Sequence, residues 1–199
     1  GVTRGPRCTP RAAIVLAAGE SRRMGHPKAL LPFEGRSLVE RHVARFAAVA
    51  CDPVLVVVRP ALVEQLRGLS SPPTRILAVE TSSQGASLAE AARVLVASAR
   101  GERSVLVTPV DLLAPGEEVL HALLEAIDAG AHAATPTFRS RGGHPIALRD
   151  ASVAQLAEGR ETPLRDHLTS LGARRVHVPV DDPRILGDLA DCGERVSRK

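Results

Sequence analysis

The chain has 199 residues, 44% of them hydrophobic, enough for one domain with a sizeable core and too few for two generous ones. Three Phe and no Trp or Tyr leave almost no material for an aromatic platform that stacks single-stranded nucleic acid, so a nucleic-acid module is disfavoured. Lys+Arg 26 against Asp+Glu 22 gives a net charge of +4, which permits a polyanionic small molecule as partner without demanding nucleic acid.

Residues 1–11 carry prolines and arginines with little to bury and read as a flexible basic arm, leaving 12–199 as a single domain. The arm runs into a short apolar stretch and a glycine loop, so it does not read as a signal peptide. No apolar run approaches the roughly 18 to 20 residues that span a bilayer. The expectation is a cytoplasmic protein with no membrane partner. Cys8, Cys51 and Cys192 are odd in number and widely spaced, fitting neither a disulfide framework nor a zinc site.

Ala12 to Ala17 is a continuous apolar run without alternation, the pattern of a strand buried on both faces. After a Gly- and charge-rich loop, Leu38, Val39, His42, Val43 and Phe46 recur at helical spacing behind Ser37, a good N-cap. Val54 to Val58 reads as a second buried strand, Pro60 to Leu69 as a helix and Ile76 to Val79 as a short strand. Ser87 to Ala99 reads as a helix and Ser104 to Val107 as another buried strand. The alternation predicts a mostly parallel sheet with helices on both faces. A helix is expected over Pro115 to Ala129, strands over Ala131 to Phe138 and His144 to Leu148, and a turn at Arg139 to Gly143. Helices near Ala151 to Ala157 and Pro163 to Leu171, a strand ending at Val180 and a short helix from Pro183 complete an α/β domain of six or seven strands, one of them antiparallel.

The chemistry concentrates in LAAGESRRMGHPKALLP, Leu16 to Pro32. Gly19 follows the first strand, where backbone N–H groups can cradle phosphate, and Arg22 and Lys28 add charge-assisted contacts. Neither a Walker loop nor a GxGxxG fingerprint is present, and a solvated strand–loop–helix junction is the plainer alternative. Asp111 closes SVLVTPVD at the carboxyl end of a buried strand, where parallel sheets place ligands; the alternative is a cap for the helix starting at Pro115. His26, His42, His121, His132, His167 and His177 lack metal-binding spacing, and no serine sits in a hydrolase pattern.

The stretch Leu16-Ala17-Ala18-Gly19, Ser21, Arg23-Met24-Gly25, Lys28 and Leu30-Leu31-Pro32 resembles the signature of the MobA-like nucleotidyltransferases, most closely the molybdenum cofactor cytidylyltransferases. The similarity continues through Gly35, Leu38, Gln84 to Leu88, Pro109-Val110-Asp111, Gly143-His144-Pro145 and Val180 to Pro183, covering nearly all of the chain after residue 11. It implies a Rossmann-like nucleotidyltransferase fold that transfers a nucleoside monophosphate from a triphosphate to a phosphorylated acceptor, releasing pyrophosphate.

Relatives making the guanine form of the cofactor carry Gly-Gly where this chain has Ala18-Gly19, so the resemblance implies CTP as donor and molybdopterin as acceptor. Leu16, Ala17, Ala18, Gly19, Ser21, Arg22 and Gly25 would then meet the nucleotide while Arg23 and Lys28 hold phosphates, and Gln84, Gly85 and Ser87 would form a substrate-side loop. His144 would help place the acceptor or serve as an ordinary turn histidine. Asp111 would hold Mg2+, with Asp181 as a second metal ligand; the motif here reads Asp-Asp-Pro instead of Asp-Thr-Pro, so Asp182 is the alternative ligand and capping of the Pro183 helix a third reading. The product would pass to a molybdenum hydroxylase or its maturation chaperone. A sugar or polyol phosphate acceptor, or a noncatalytic nucleotide- or cofactor-binding chaperone, are the other functions carried forward.

Overall fold

The computed structural model describes residues 9–19, 22–23, 26–81, 83–99 and 101–187. The expected basic arm lies almost wholly outside the described residues, but its boundary moves: Arg11 already belongs to the first strand, and its guanidinium donates to the Val49 carbonyl at 3.0 Å.

The uninterrupted apolar runs become the centre of an eight-stranded sheet. In chain order its strands are β1 (Arg11–Ala17), β2 (Cys51–Val58), β3 (Thr74–Ala78), β4 (Ser104–Pro109), β5 (Ala133–Phe138), β6 (Arg141–Gly142), β7 (Ile146–Arg149) and β8 (Arg175–Pro179). β1 lies between β2 and β4, parallel to both, and β3 extends the sheet beyond β2. β7 pairs antiparallel with β4 and β5, β6 pairs antiparallel with β5, and β8 joins β5 in parallel. The sheet therefore has more strands than the sequence pattern predicts, and two antiparallel ones. The two-residue β6 is too short to register as an apolar run.

Alternation along β1 splits the core into two layers. Ala13, Val15 and Ala17 face α1 (Leu38–Ala48) and α4 (Glu117–Asp128), where Phe46, Leu120, Leu123 and Leu124 are buried. Ala12, Ile14 and Leu16 face α3 (Gln84–Ser98), α5 (Asp150–Glu158) and α6 (Leu164–Leu171) through Leu88, Leu95, Leu156 and Leu168. Burial on both faces explains why β1 tolerates no polar side chain between Ala12 and Ala17, and truncating a core leucine such as Leu106 would cost about 2 to 5 kcal/mol.

Local signals set the helix starts. Ser37 and Glu40 form a reciprocal capping box at α1, with Ser37 N–H donating to the Glu40 carboxylate at 2.9 Å. The expected helix over Pro60 to Leu69 is instead a short α2 (Val63–Leu66) flanked by 3-10 turns. α4 begins at Glu117, not Pro115, because Gly116 is extended. Among the described residues, no helix is long and apolar enough to cross a membrane.

Candidate active site

β1 and β4 are neighbours in parallel register, Leu16 opposite Pro109, and the Val110 N–H donates to the Leu16 carbonyl at 3.0 Å. Ala17-Ala18-Gly19 and Pro109-Val110-Asp111 therefore leave the sheet side by side at its carboxyl edge, the position at which such sheets bind ligands.

Two clefts open there. One, about 400 Å³, is lined by Leu16, Ala18, Gly19, Arg59, Thr81, Ser83, Gln84 and Ser87. The other, about 510 Å³, has a floor of Leu16, Leu88, Val107, Ile146 and Leu168, with Gly142, Gly143, His144, Arg165 and Arg175 also in its lining. Leu16 and Gln84 belong to both, so the clefts adjoin.

The segment expected as a substrate-side loop is the first turn of α3. Ser83 is its N-cap, accepting from Ala86 N–H at 3.1 Å, which places Gln84, Gly85 and Ser87 at the positive end of a 15-residue helix. Ser87 is buried and shares a 2.5 Å hydrogen bond with the Thr81 hydroxyl. Gly85 is required by packing: a Cβ there would stand 2.6 Å from the Glu161 carbonyl oxygen. At the opposite wall, the Arg59 Nε donates to the Ala18 carbonyl at 2.8 Å and brings a guanidinium to the glycine loop. Ala17 and Ala18 are buried and Gly19 is exposed.

Asp111 is half-buried, and it is not the cap of α4: Gly116 occupies that position and receives no side-chain cap from its own helix. Beneath the Asp111 loop, His42 is 2% exposed and its Nε2–H donates to the Leu112 carbonyl at 2.6 Å. Burial pushes the His42 pKa down to about 4, opposed by bonds to the Leu112 and Val110 backbone and by the Asp111 charge. His144 is likewise held below the usual histidine range by burial, with Asp111 acting in the opposite sense. Its Nδ1 is buried without a hydrogen-bond partner among the described residues. Asp111 and His144 are thus close enough to interact electrostatically, although they come from the loop after β4 and from the turn before β7.

The late acidic pair divides. Asp182 is 7% exposed and caps the 3-10 turn Pro183–Leu186, accepting from Arg184 N–H and the Arg184 guanidinium and from Gly116 N–H at 2.8 Å. Burial alone would raise its pKa, but hydrogen bonds from Arg184 and Gly116 hold it below the usual carboxylate range. The capping reading is therefore the one the structure supports for Asp182, and its oxygens are occupied by N–H donors. Asp181 is exposed in a third groove with Glu118, Val119, Ala122 and Arg184, a groove that shares no residue with the two clefts.

The backbone of Arg22–Arg23 pairs with His26–Pro27, but the side chains of Arg22, Arg23 and Lys28 lie outside the described residues, as do Ser21 and Gly25 entirely. Arg59, Arg165 and Arg175, which no sequence motif singles out, line the two clefts as well. Arg175 is tied to the sheet by a 3.1 Å bond from its Nε to the Thr135 hydroxyl.

A hard divalent cation fits this donor set in a limited way. Among the described residues, no three His, Cys, Asp or Glu side chains gather into a cage, and Asp111 offers one carboxylate at the carboxyl edge. One carboxylate completed by substrate phosphates and water is the usual environment of Mg2+.

A mixed sheet wrapped by helices, with a glycine loop, an acidic strand end and paired clefts at one edge, defines a Rossmann-like nucleotide-handling domain. The chain belongs to the family of the MobA-like NTP transferase domain, whose model matches residues 13–182, and it is a nucleotidyltransferase. It is 32% identical over 176 residues, 85% of this chain and 80% of the relative, to a probable molybdenum cofactor guanylyltransferase of Mycobacterium avium (strain 104). Its fold is shared with Rv0371c of Mycobacterium tuberculosis H37Rv, at TM-score 0.74 and 19% identity over 96% of this chain and 100% of that one. A 4-diphosphocytidyl-2C-methyl-D-erythritol synthase also shares it, at TM-score 0.73 and 16% identity over 94% and 98% of the two chains.

Proposed function

We propose that the protein transfers CMP from CTP to the terminal phosphate of molybdopterin, preferably molybdenum-loaded, and releases pyrophosphate. The observation that carries this reading is the pair of adjoining clefts at the carboxyl edge of β1 and β4, joined at Leu16 and Gln84.

The smaller cleft takes the nucleotide. Ala18 lines it with a methyl group where glycine would leave more room, which favours a pyrimidine over a purine, and Gly19 and the first turn of α3 line it too, a helix N-terminus being favourable to phosphate. Arg59 holds the loop through the Ala18 carbonyl, while Lys28 and Arg23, assigned by their place in the motif, hold the phosphates and offset charge on the departing pyrophosphate. Ser21, Arg22 and Gly25 complete the loop.

The larger cleft takes the acceptor. Its aliphatic floor suits a flat ring system better than a small polyol phosphate, and Arg165 and Arg175 add cationic groups suited to its phosphate. His144, neutral at pH 7 because burial lowers its pKa, hydrogen-bonds the acceptor without adding charge. Asp111 is the carboxylate that would hold Mg2+, which when bound supplies a positive charge to the transferring phosphoryl group. Asp181 gains no support as a second ligand from its position in a separate groove. A phosphate monoester is already ionised at neutral pH, so alignment of its oxygen with the α-phosphorus requires no dedicated general base.

A second reading, GTP as donor, is favoured by the name of the 32% identical relative. Pyrophosphate release with Mg2+, comparing CTP, GTP, ATP and UTP with and without molybdopterin, separates the two. Release that requires CTP and molybdopterin supports the proposal. Release with GTP instead supports the second reading, and stoichiometric binding without release supports a noncatalytic carrier. Delivery to a molybdenum hydroxylase or its chaperone, and a cytoplasmic location, belong to the same proposal.

A further inference from the structure

Two chain segments of the candidate site, the loop from Asp111 to Gly116 and the turn at His144, are fastened together from behind by one short turn, Asp182 to Gly187. Asp182 accepts from the Gly116 N–H at 2.8 Å, Gly187 accepts from the Leu113 N–H at 3.1 Å, and Ile185 accepts from the His144 N–H at 3.0 Å. Ile185 is 1% exposed and buried with Leu113 in the layer beneath α4. The fit leaves no slack: a Cβ on Gly143 would stand 2.2 Å from the Ile185 carbonyl oxygen, and one on Gly187 3.0 Å from a Leu113 methyl.

The loop carrying Asp111 is therefore held at one end by β1, through Val110 and Leu16, and at the other by this turn. The turn's own shape depends on Asp182. Its carboxylate accepts from the Arg184 N–H at 3.0 Å and from the Arg184 guanidinium at 2.7 Å while holding Gly116. A serine or threonine hydroxyl could cap the turn, but a hydroxyl has one oxygen where this carboxylate uses two for three kinds of donor.

We propose that Asp182 is a positioning residue: through the Gly116 N–H and the turn it shapes, it sets the placement of the Asp111 carboxylate relative to His144. The proposal rests on the reading above that these two residues face the metal and the acceptor. Both oxygens of the Asp182 carboxylate are engaged by the Gly116 and Arg184 donors, so it acts through the backbone of two other segments. Groups that orient first ligands from behind typically change metal affinity by about 10- to 100-fold when removed.

The test compares Asp182→Ala and Asp182→Asn with wild type, each shown folded by circular dichroism. Asp182→Ala is expected to speed amide exchange at Leu113 and His144 by about 10-fold or more while leaving the Leu38 amide unchanged. It should lower kcat by about 10-fold and raise the half-saturating Mg2+ concentration by a similar factor, with KM for the nucleotide unchanged. Asp182→Asn keeps an acceptor oxygen for Gly116 and should lie between the two in every readout.

A residue with a purely structural role would lower the melting temperature and leave kcat per folded molecule and the Mg2+ midpoint at wild-type values; that result overturns the proposal. So does unchanged exchange at Leu113 and His144. If wild type turns over no nucleotide, the functional reading fails. The exchange result then decides the clamp by itself, acceleration supporting it and no change overturning it.

Discussion

His42 provides a measurable link between pH and the Asp111 loop. Its folded pKa of about 4 lies below the ordinary 6.5, so as pH falls the unfolded chain takes up a proton that the folded chain refuses. Stability is thus fully present above the unfolded value and is lost as pH falls towards 4. The ceiling on that loss is about 3 kcal/mol, and about 2 kcal/mol of it is spent between pH 7.5 and pH 5. His144 and His167 are shifted the same way by burial, so the wild-type dependence is steeper still. The replacement His42→Gln keeps an N–H donor for the Leu112 carbonyl and removes the titration. Urea unfolding followed by circular dichroism, needed because the chain has no Trp or Tyr, should show the variant losing about 2 kcal/mol less than wild type over that interval. Equal losses in the two proteins would refute the assignment of a neutral, buried His42 beneath the loop.

Asp111→Asn should leave the circular dichroism spectrum unchanged and lower Mg2+-dependent pyrophosphate release by about 100-fold or more; near-wild-type turnover would remove Asp111 from the site. Gly143→Ala drives a Cβ into the Ile185 carbonyl and should cost about 1 to 3 kcal/mol in urea unfolding, whereas Gly142→Ala meets its nearest neighbour, a Thr135 methyl, at 3.4 Å and should be far milder. Equal stability of the two variants would contradict the close approach. Arg165→Gln and Arg175→Gln should raise KM for molybdopterin by about 10-fold each with KM for the nucleotide unchanged, and a rise confined to the nucleotide would reverse the assignment of the clefts.

Patterns confined to one stretch of chain were legible. The apolar runs of β1, β2 and β4 announce their own burial, and Ser37 with Glu40 announces the start of α1. Asp111 stands out in the sequence because a carboxylate just past a buried strand is conspicuous. Features that depend on distant partners were not legible. Arg59, Arg165 and Arg175 carry no local signature, and only the fold brings Arg165 and Arg175 to one cleft and Arg59 to its neighbour. Asp182 reads as a ligand or a cap in sequence, and its bond to Gly116 crosses 66 positions. Gly116 ends the extended segment before α4, so a helix predicted from Pro115 starts late, while Ser83, a good N-cap, starts α3 earlier than its apolar pattern suggests.

The most direct test of the central claim is a single reaction containing Mg2+, molybdopterin and equal concentrations of CTP and GTP, with the product identified by mass spectrometry. The account predicts molybdopterin carrying CMP as the dominant product. Molybdopterin carrying GMP would contradict it and make the Ala18 methyl irrelevant to the choice of base.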